Sequence, residues 1–399
     1  MSKSKYYIGL EIGTSNTRVV VAEAKPDLSV KVLALAQYGS AGVRKGEIID
    51  LNHARACIKA TILQAEDDSN INISDVFLAV TGSHVVGVNN TGTLEFTTSD
   101  TPITERHLME VEDLACDLNI PKENAFIQTL IRQYRLDGEA HRSSPVGMMG
   151  QRLDADFHHV HGVRSKLQNL MRVVKESSCE IEDLLFSPIA AAQTVLTRKH
   201  RDEGAIVIDI GGGTSDYIVY IKGSIFASGC IPLGGDHITN DIHLVHSIPL
   251  SSAEELKVAH GDVSGSLATL QGDIPLSGLY GQDSPNISRK TLNLVITARI
   301  QEMLTMVMEA IHPAALKHVK SGVFLTGGVS LTRGIDHLAR EVFGLPVHVP
   351  QLDDIEELSY GQDPQLSTVL GLIYYAQLLD QEEEEAKGPL SFFAKLFGQ

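Results

Sequence analysis

Short β-branched runs, each closed by a cluster of Gly, Ser and Thr, recur along the chain: YYIGLEIGTS, TRVVVAEA, KVLALAQY, VFLAVTGS, AIVIDIGGGTSD, YIVYIKGS and GVFLTGGVS. Between them apolar residues fall at three- and four-residue spacing over 50–65, 104–118, 163–178, 289–312 and 366–385. The first pattern predicts strands and the second helices. Their alternation predicts an α/β protein with mixed sheets that carry helices. A strand, a Gly-rich turn and a second strand occur twice, near 8–23 and 205–222, which points to two related halves. The stretch 135–165 is rich in turn residues and then alternates like a strand, with His158, His159 and His161 along it. In a strand His159 and His161 share one face and His158 takes the other, and no carboxylate completes a ligand set. An ordinary surface or interface strand is therefore expected there, not a metal site.

Composition narrows the classes. The 399 residues are 43% apolar, enough for two or three domains with sizeable cores. No run of ~18 apolar residues occurs, and the start MSKSKYYIGLEIG lacks a cleavable signal, so neither a membrane span nor export is expected. Cys57, Cys116, Cys179 and Cys230 lie far apart without a CxxC pair, as buried thiols of a reducing compartment do. The net charge of -17 is spread over the chain, with one dense block at Glu382 to Glu385. Such a field repels nucleic acid and anionic lipid headgroups, so nucleic acid is not an expected partner and any membrane attachment must be mainly hydrophobic.

AIVIDIGGGTSDYIVY, residues 205–220, carries the sharpest chemical signal. A buried-type strand delivers Asp209 to its end. Gly211, Gly212 and Gly213 then let backbone amides turn inward with no side chain in the way, Thr214 adds a hydroxyl, and a second strand returns. The pattern fits a phosphate-binding hairpin in which amides cradle the oxygens and Asp209 holds a hydrated Mg2+ beside them. The plain alternative is a tight glycine turn with a capping Asp; three glycines between two aspartates argue against it. IGLEIGTSNTRVVVAE, residues 8–23, repeats the logic in weaker form, with Gly13, Thr14, Ser15 and Asn16 in the turn and Glu11 in the place of Asp209. Two such hairpins facing each other across a cleft would grip terminal phosphates from both sides. GVFLTGGVSLTRGI, residues 322–335, runs strand, Gly327-Gly328, helix, and the glycines there let a flat adenine approach the backbone. SSAEELKVAHG, residues 251–261, opens with Ser caps and sets Glu254 and Lys257 at i, i+3 on one helical face. By spacing alone that pair reads better as a solvated salt bridge than as a contact to ribose and adenine.

In this order the segments resemble the actin/Hsp70/sugar-kinase superfamily, with SPIAAAQTVL (187–196) and STVLGLIYYA (367–376) as the two connecting helices. Within it the chain is most similar to the bacterial FtsA family. The likeness rests on LEIGT with Glu in place of Asp, TGSHVVGVNNTG (81–92), SSPVGMMGQRLDADFHHV and IPLGGDHITNDIHLVHSIPLSSAEELKVAHG. The resemblance implies an actin-like ATPase fold, two related halves around a nucleotide cleft. Subdomain 1A would cover 1–83 and 165–203, an FtsA-type 1C in place of actin 1B 84–164, 2A 204–245 and 321–380, and 2B 246–320. An acidic linker and C-terminal amphipathic helix would occupy 381–399. It also implies ATP and Mg2+ as ligands, actin-like filaments of the chain with itself, and tethering of the tubulin-like protein FtsZ to the cytoplasmic face of the inner membrane at the septum. Later division proteins would join through 1C.

Carried over residue by residue, Gly13, Thr14, Ser15, Asn16, Gly211, Gly212, Gly213 and Thr214 would contact phosphates, with Gly234 and Gly235 approaching them. Asp209, with Glu11, would organise the metal through water. Glu254 and Lys257 would meet ribose and adenine, and Gly327, Gly328 and Val329 the adenine face. NISRKTLNLVITARIQEMLTMVMEAI, residues 286–311, reads as a helix whose apolar stripe is mostly core; its Arg289, Lys290 and Arg299 would rim a groove for the acidic FtsZ C-terminal peptide. Two departures stand out. Asn16 lies near where several relatives carry Lys, so one phosphate contact is missing or falls to Arg18. Ser187 opens the first connecting helix where strongly hydrolytic relatives place Glu or Gln, so hydrolysis is expected to be slow at most. The alternatives are another actin-like scaffold of the PilM or MreB kind and, less well matched, a small-molecule kinase, for which no positioned Asp base is identifiable.

The chain ends EEEEAKGPLSFFAKLFGQ. On a wheel of ~100° per residue Leu390, Phe392, Phe393, Leu396 and Phe397 cover an arc of about 200°, with Ser391 and Lys395 opposite. The pattern fits a helix lying in a membrane interface, held off the body by the Gly388-Pro389 break; a terminus docked on the body is the alternative. Such an anchor binds weakly, and many copies on one filament would bind strongly.

Overall fold

Stiff β-branched side chains favour extended backbone and glycine permits its reversal, and the structure builds its strands where these two meet. The computed structural model describes residues 5–25, 30–98, 101–141, 143–265, 271–275, 286–350 and 363–386. Leu390, Phe392, Phe393, Leu396 and Phe397, expected to form the membrane face, lie outside the described residues.

β1 (Tyr6–Ile12) and β2 (Asn16–Ala24) form an antiparallel hairpin with β3 (Val30–Gly39) beside it. A small hairpin of β4 (Val43–Arg44) and β5 (Glu47–Ile48) follows. α1 (Leu51–Ser69) is capped by Asp50, whose carboxylate accepts from the amides of Asn52 and His53, and leads to β6 (Asp75–Val80), parallel to β1. The chain then leaves to build a separate antiparallel sheet, ordered β7-β10-β8-β9. Its elements are β7 (Val86–Glu95), α2 (Glu105–Cys116), β8 (Asn124–Leu136), β9 (Glu139–His141) and β10 (Arg152–Val163). Ile103, Leu108, Val111, Tyr134, Leu153 and Phe157 give this insert its own core. α3 (Arg164–Lys175), β11 (Glu180–Phe186), α4 (Ser187–Val195) and α5 (Arg198–Glu203) return to the first half, whose sheet runs β11-β6-β1-β2-β3.

The second half repeats that plan. β12 (Ala205–Ile210) and β13 (Ser215–Ile221) form the hairpin and β14 (Ser224–Ile231) its neighbour. α6 (Gly235–His246), α7 (Leu250–His260), the strand pair β15 (Asp273–Pro275) and β16 (Asn286–Ser288), and α8 (Arg289–Ala310) come next. α9 (Pro313–Leu316), β17 (Gly322–Thr326), α10 (Ile335–Phe343), β18 (Val347–His348) and α11 (Ser367–Ala386) complete it. The sheet order is β18-β17-β12-β13-β14, with β17 parallel to β12 as β6 is to β1. α4 and α11 pack on each other at the junction, against strands of both sheets. Duplication of the hairpin in sequence is thus duplication of a whole sheet.

One expectation is narrowed and two need correction. The stretch carrying His158, His159 and His161, expected on a surface or interface strand, is an interface strand and not a surface one: β10 runs between β7 and β8, packs against β14, and all three rings are buried. His158 sits where the insert meets the second half, its Nδ1 paired with Asn89 (2.7 Å) and its Nε2 with Ser228 Oγ on β14 (2.8 Å). Arg132 Nε and Asn89 Nδ2 donate to the Ile225 and Phe226 carbonyls alongside (2.7 and 2.8 Å). α7 opens at Leu250 after Pro249 with no side-chain cap, so Ser251 and Ser252 lie inside its first turn and do not cap it; the fixed φ of proline sets the helix entry two residues before a Ser251 cap would. Residues 286–288 are a strand paired with 273–275, and α8 begins only at Arg289 behind the Ser288 cap.

The docking of His158 has a pH consequence. Burial, reinforced by Arg132 and His159, pushes its pKa down to about 3. The unfolded imidazole titrates near ~6.5 and takes a proton that the folded one refuses, so this stability is present above ~6.5 and falls by up to about 1.4 kcal/mol per pH unit on the way down. Thermal melts of the wild type are expected to lose more stability than His158→Gln between about pH 7 and about pH 5; parallel profiles would contradict the assignment.

Candidate nucleotide-binding cleft

The two glycine hairpins are built alike. Gly13 N donates to Asn16 O (3.0 Å) and Gly211 N to Thr214 O (2.9 Å), so both turns close with the same hydrogen bond. Behind them Glu11 pairs across the first hairpin with Arg18, and Asp209 across the second with Asp216. The tips meet. A methyl group on Gly213 would stand 2.5 Å from Thr14 Oγ1, and one on Gly212 would overlap Ser15 Oγ. Behind the second tip, Gly235 N and Asp236 N donate to the carbonyls of Gly211 and Gly212 (2.9 and 2.8 Å). Those carbonyls are drawn toward α6, while the amides of Gly212 and Gly213 donate to no backbone carbonyl among the described residues. Gly234 fits because a methyl there would lie 2.6 Å from both carbonyls. Amides left without a partner beside a helix start form an anion cradle.

The cradle opens into a cavity of about 360 Å3, within the ~300–1,000 Å3 of small-ligand pockets. Gly13, Thr14, Ser15, Asn16, Gly211, Gly212, Gly213 and Thr214 line it, together with Glu254, Lys257, Gly327, Gly328 and Val329. Gly235 lines it as well, whereas Gly234 supports the cradle from behind. Lys257 bonds Glu254 (2.6 Å) and Thr239 Oγ1 (2.9 Å), and Glu254 accepts from Thr239, so the i, i+3 pair is a salt bridge set into the wall of the cavity. β17 leads into Gly327, and the residues after it form a 3-10 turn, Gly328–Leu331, before α10. Val258, Leu331 and Thr332 line the same cavity. Sequence spacing left them unmarked because their apolar or neutral side chains give no motif.

Three carboxylates converge beneath the tips. Burial raises the pKa of Glu11, despite Arg18 (3.3 Å), and of Asp209, despite the hydrogen bond from Thr368 Oγ1 (2.7 Å). Asp216 is pushed up to about 7 by burial and by the charge of Asp209, against hydrogen bonds from Thr81 Oγ1 (2.8 and 2.6 Å). Thr81 belongs to the first half and Asp216 to the second, so this contact spans the cleft; as the residue closing GGGTSD, Asp216 was visible in the sequence but not assigned a role. Carboxylates drawn together in this way, even with Glu11 paired to Arg18, favour a cation beside them. Among the described residues no three His, Cys, Asp or Glu side chains are grouped to enclose a metal directly. The donor set fits Mg2+ held largely through water and ligand oxygens, the mode that hard ion prefers. Arg18 is buried and engaged with Glu11, Gln37 (2.8 Å) and Gln365 (3.4 Å). Ser187 Oγ donates to Val80 O (3.0 Å), and its hydroxyl proton is thereby held.

The structure does not gather the three basic residues of α8. Arg299 binds Asp241 (2.6 Å) and Glu302 (2.5 Å). At ~1.5 Å and ~100° per residue it lies roughly 14 Å along the helix from Lys290 and about half a turn round. Arg289 and Lys290 make no ion pair among the described residues.

Duplicated sheets around a cleft with facing hairpins define the actin-like ATPase fold. The chain superposes on the structure titled PilM-PilN type IV pilus biogenesis complex with a TM-score of 0.67 at 16% identity, over 93% of this chain and 98% of that one. It superposes on MreB5 of Spiroplasma citri bound to ADP with a TM-score of 0.57 at 16% identity, over 95% and 98%. At such identity the likeness concerns the fold.

Sequence comparison goes further. The family profile for cell division protein FtsA matches residues 206–371, and that for the SHS2 domain inserted in FTSA matches 82–161, the insert sheet. The cell division protein FtsA of Borreliella burgdorferi is 31% identical over 371 residues, 92% of this chain and 90% of that protein. Those of Neisseria meningitidis serogroup B and Escherichia coli K12 are 30% identical over 384 and 387 residues, covering 95% and 94% of this chain and 92% and 90% of theirs. The chain belongs to the FtsA family of cell division proteins.

Proposed function

We propose that the cleft binds ATP with Mg2+ and that the bound chain assembles with copies of itself into actin-like filaments that tether FtsZ to the cytoplasmic face of the membrane at the septum. The observation that carries this reading is the pair of facing glycine hairpins, with unpartnered amides above three buried carboxylates, in a chain of the FtsA family. Bound there, Mg2+ would offset the triphosphate charge; Asp209 and Glu11 would hold its waters, the two tips would hold the phosphates, and Glu254, Lys257 and Val329 would orient the nucleoside. Among the described residues no helix is long and apolar enough to cross a membrane. On the amphipathic pattern of the sequence, attachment is assigned to Leu390, Phe392, Phe393, Leu396 and Phe397, peripheral and reversible. Arg289 and Lys290 are the better placed of the basic residues to meet the FtsZ C-terminal peptide, since Arg299 already holds Asp241 and Glu302. The insert is assigned to the later division proteins.

The test is flotation with vesicles of inner-membrane lipid, in ATP and Mg2+, followed by electron microscopy. The intact chain is expected to float and to form filaments. Deleting 389–399 should leave nucleotide affinity and melting temperature unchanged while vesicle binding disappears. Retained binding would move the anchor elsewhere in the chain.

A further inference from the structure

The cations that line the cleft are already committed. Arg18 is held by Glu11 (3.3 Å) and Lys257 by Glu254 (2.6 Å). With Asp209 and Asp216 also in the wall, the lining carries more negative than positive charge. The terminal phosphate of a triphosphate adds to that repulsion unless a further cation meets it, and charge-assisted hydrogen bonds are the usual means.

Such a cation stands just behind the tips. Lys45 and Gly46 join β4 to β5 with φ of 52° and 73°. A two-residue hairpin loop of this kind takes positive φ at both of its residues, and this one is packed against the two phosphate hairpins. Lys45 N and Cα would each stand 2.9 Å from a methyl group on Gly213, and the neighbouring Gly46 N donates to Thr14 Oγ1 (3.2 Å). The turn is therefore a wedge seated on both tips at once, carried by the first half and leaning on the second. Lys45 is half-buried and makes no ion pair among the described residues. Its charge reaches His237 in the first turn of α6, where it adds to burial in holding that imidazole neutral. The charge of Lys45 is thus within electrostatic reach of the start of α6, which closes the cradle.

We propose that Lys45 binds the terminal phosphate of a nucleoside triphosphate in this cleft and so distinguishes triphosphate from diphosphate. The proposal rests on the nucleotide reading above. It also accounts for Asn16: the charge that a lysine in the first turn would supply comes instead from a separate turn packed over that hairpin.

The experiment compares binding of fluorescent ATP and ADP analogues, with Mg2+, to the wild type, Lys45→Met, Lys45→Arg and Lys45→Asn. Asn tolerates the left-handed backbone and guards against a result caused by strain in the turn. Both uncharged variants are expected to lose ATP affinity by on the order of tenfold while ADP affinity stays within about twofold, with Arg retaining part of the preference. An unchanged ATP-to-ADP ratio in Lys45→Met and Lys45→Asn, alongside wild-type binding of both nucleotides, overturns the role of Lys45 and leaves the nucleotide site standing. A wild type that binds neither nucleotide overturns the site itself, and this inference with it.

Discussion

Gly371→Ala should destabilise the chain by roughly 2–4 kcal/mol, read as a melting temperature lower by roughly 2–5 °C. The sign is what makes this informative. In an ordinary helix interior the same change stabilises by ~1 kcal/mol, because alanine has less backbone entropy to lose. Here the added methyl would overlap the Ala190 carbonyl outright. Gly371 lies in α11 and Ala190 in α4, and Ala190, Ala191, Ala192, Leu370 and Leu372 are buried where the helices meet. α11 has little room to move, since a methyl on Gly9 of β1 would stand 2.8 Å from Val369 O. The two helices join the halves, so separating them should also loosen the cleft. A variant that melts at or above the wild type would show that α4 and α11 do not cross as closely as described.

Gly327→Ala should weaken ATP binding by roughly 10- to 100-fold. Its φ of 81° with ψ of 170° is a conformation essentially confined to glycine. A methyl there would also lie 2.5 Å from the Ile210 carbonyl oxygen and overlap Asp209 Oδ1. The strain is ~1–3 kcal/mol and acts on the strand end that carries Asp209, so the expected metal ligand is displaced together with the backbone expected to meet the adenosine. Fluorescent-nucleotide titration measures the loss, and a melt distinguishes it from unfolding. Wild-type affinity in the folded variant would remove Asp209 and Gly327 from the site.

Much of this architecture is legible in the sequence because it is local. The hairpin at 205–221 announces itself by a β-branched run, three glycines and a second run, and the 8–23 element follows by likeness. What could not be read depends on residues far apart in the chain. That His158 would be buried against Ser228 follows from docking of the insert onto β14, which alternation along β10 cannot show. The commitment of Arg299 to Asp241, 58 residues away, is likewise tertiary. Lys45 gave no motif at all, since its interest comes from the left-handed turn that seats it over Gly213. The start of α7 departs from its sequence signal for a local reason: serines are good caps, but Pro249 before them sets the helix entry.

The account turns on the cleft being a nucleotide site. Isothermal titration of ATP into the full chain, with Mg2+ and again in excess chelator, tests that claim most directly. One ATP per chain is expected, with affinity that falls when Mg2+ is withdrawn because Asp209 and Asp216, neither of them salt-bridged among the described residues, then face the phosphates. A flat titration in Mg2+, or equal affinity with and without the ion, would contradict it.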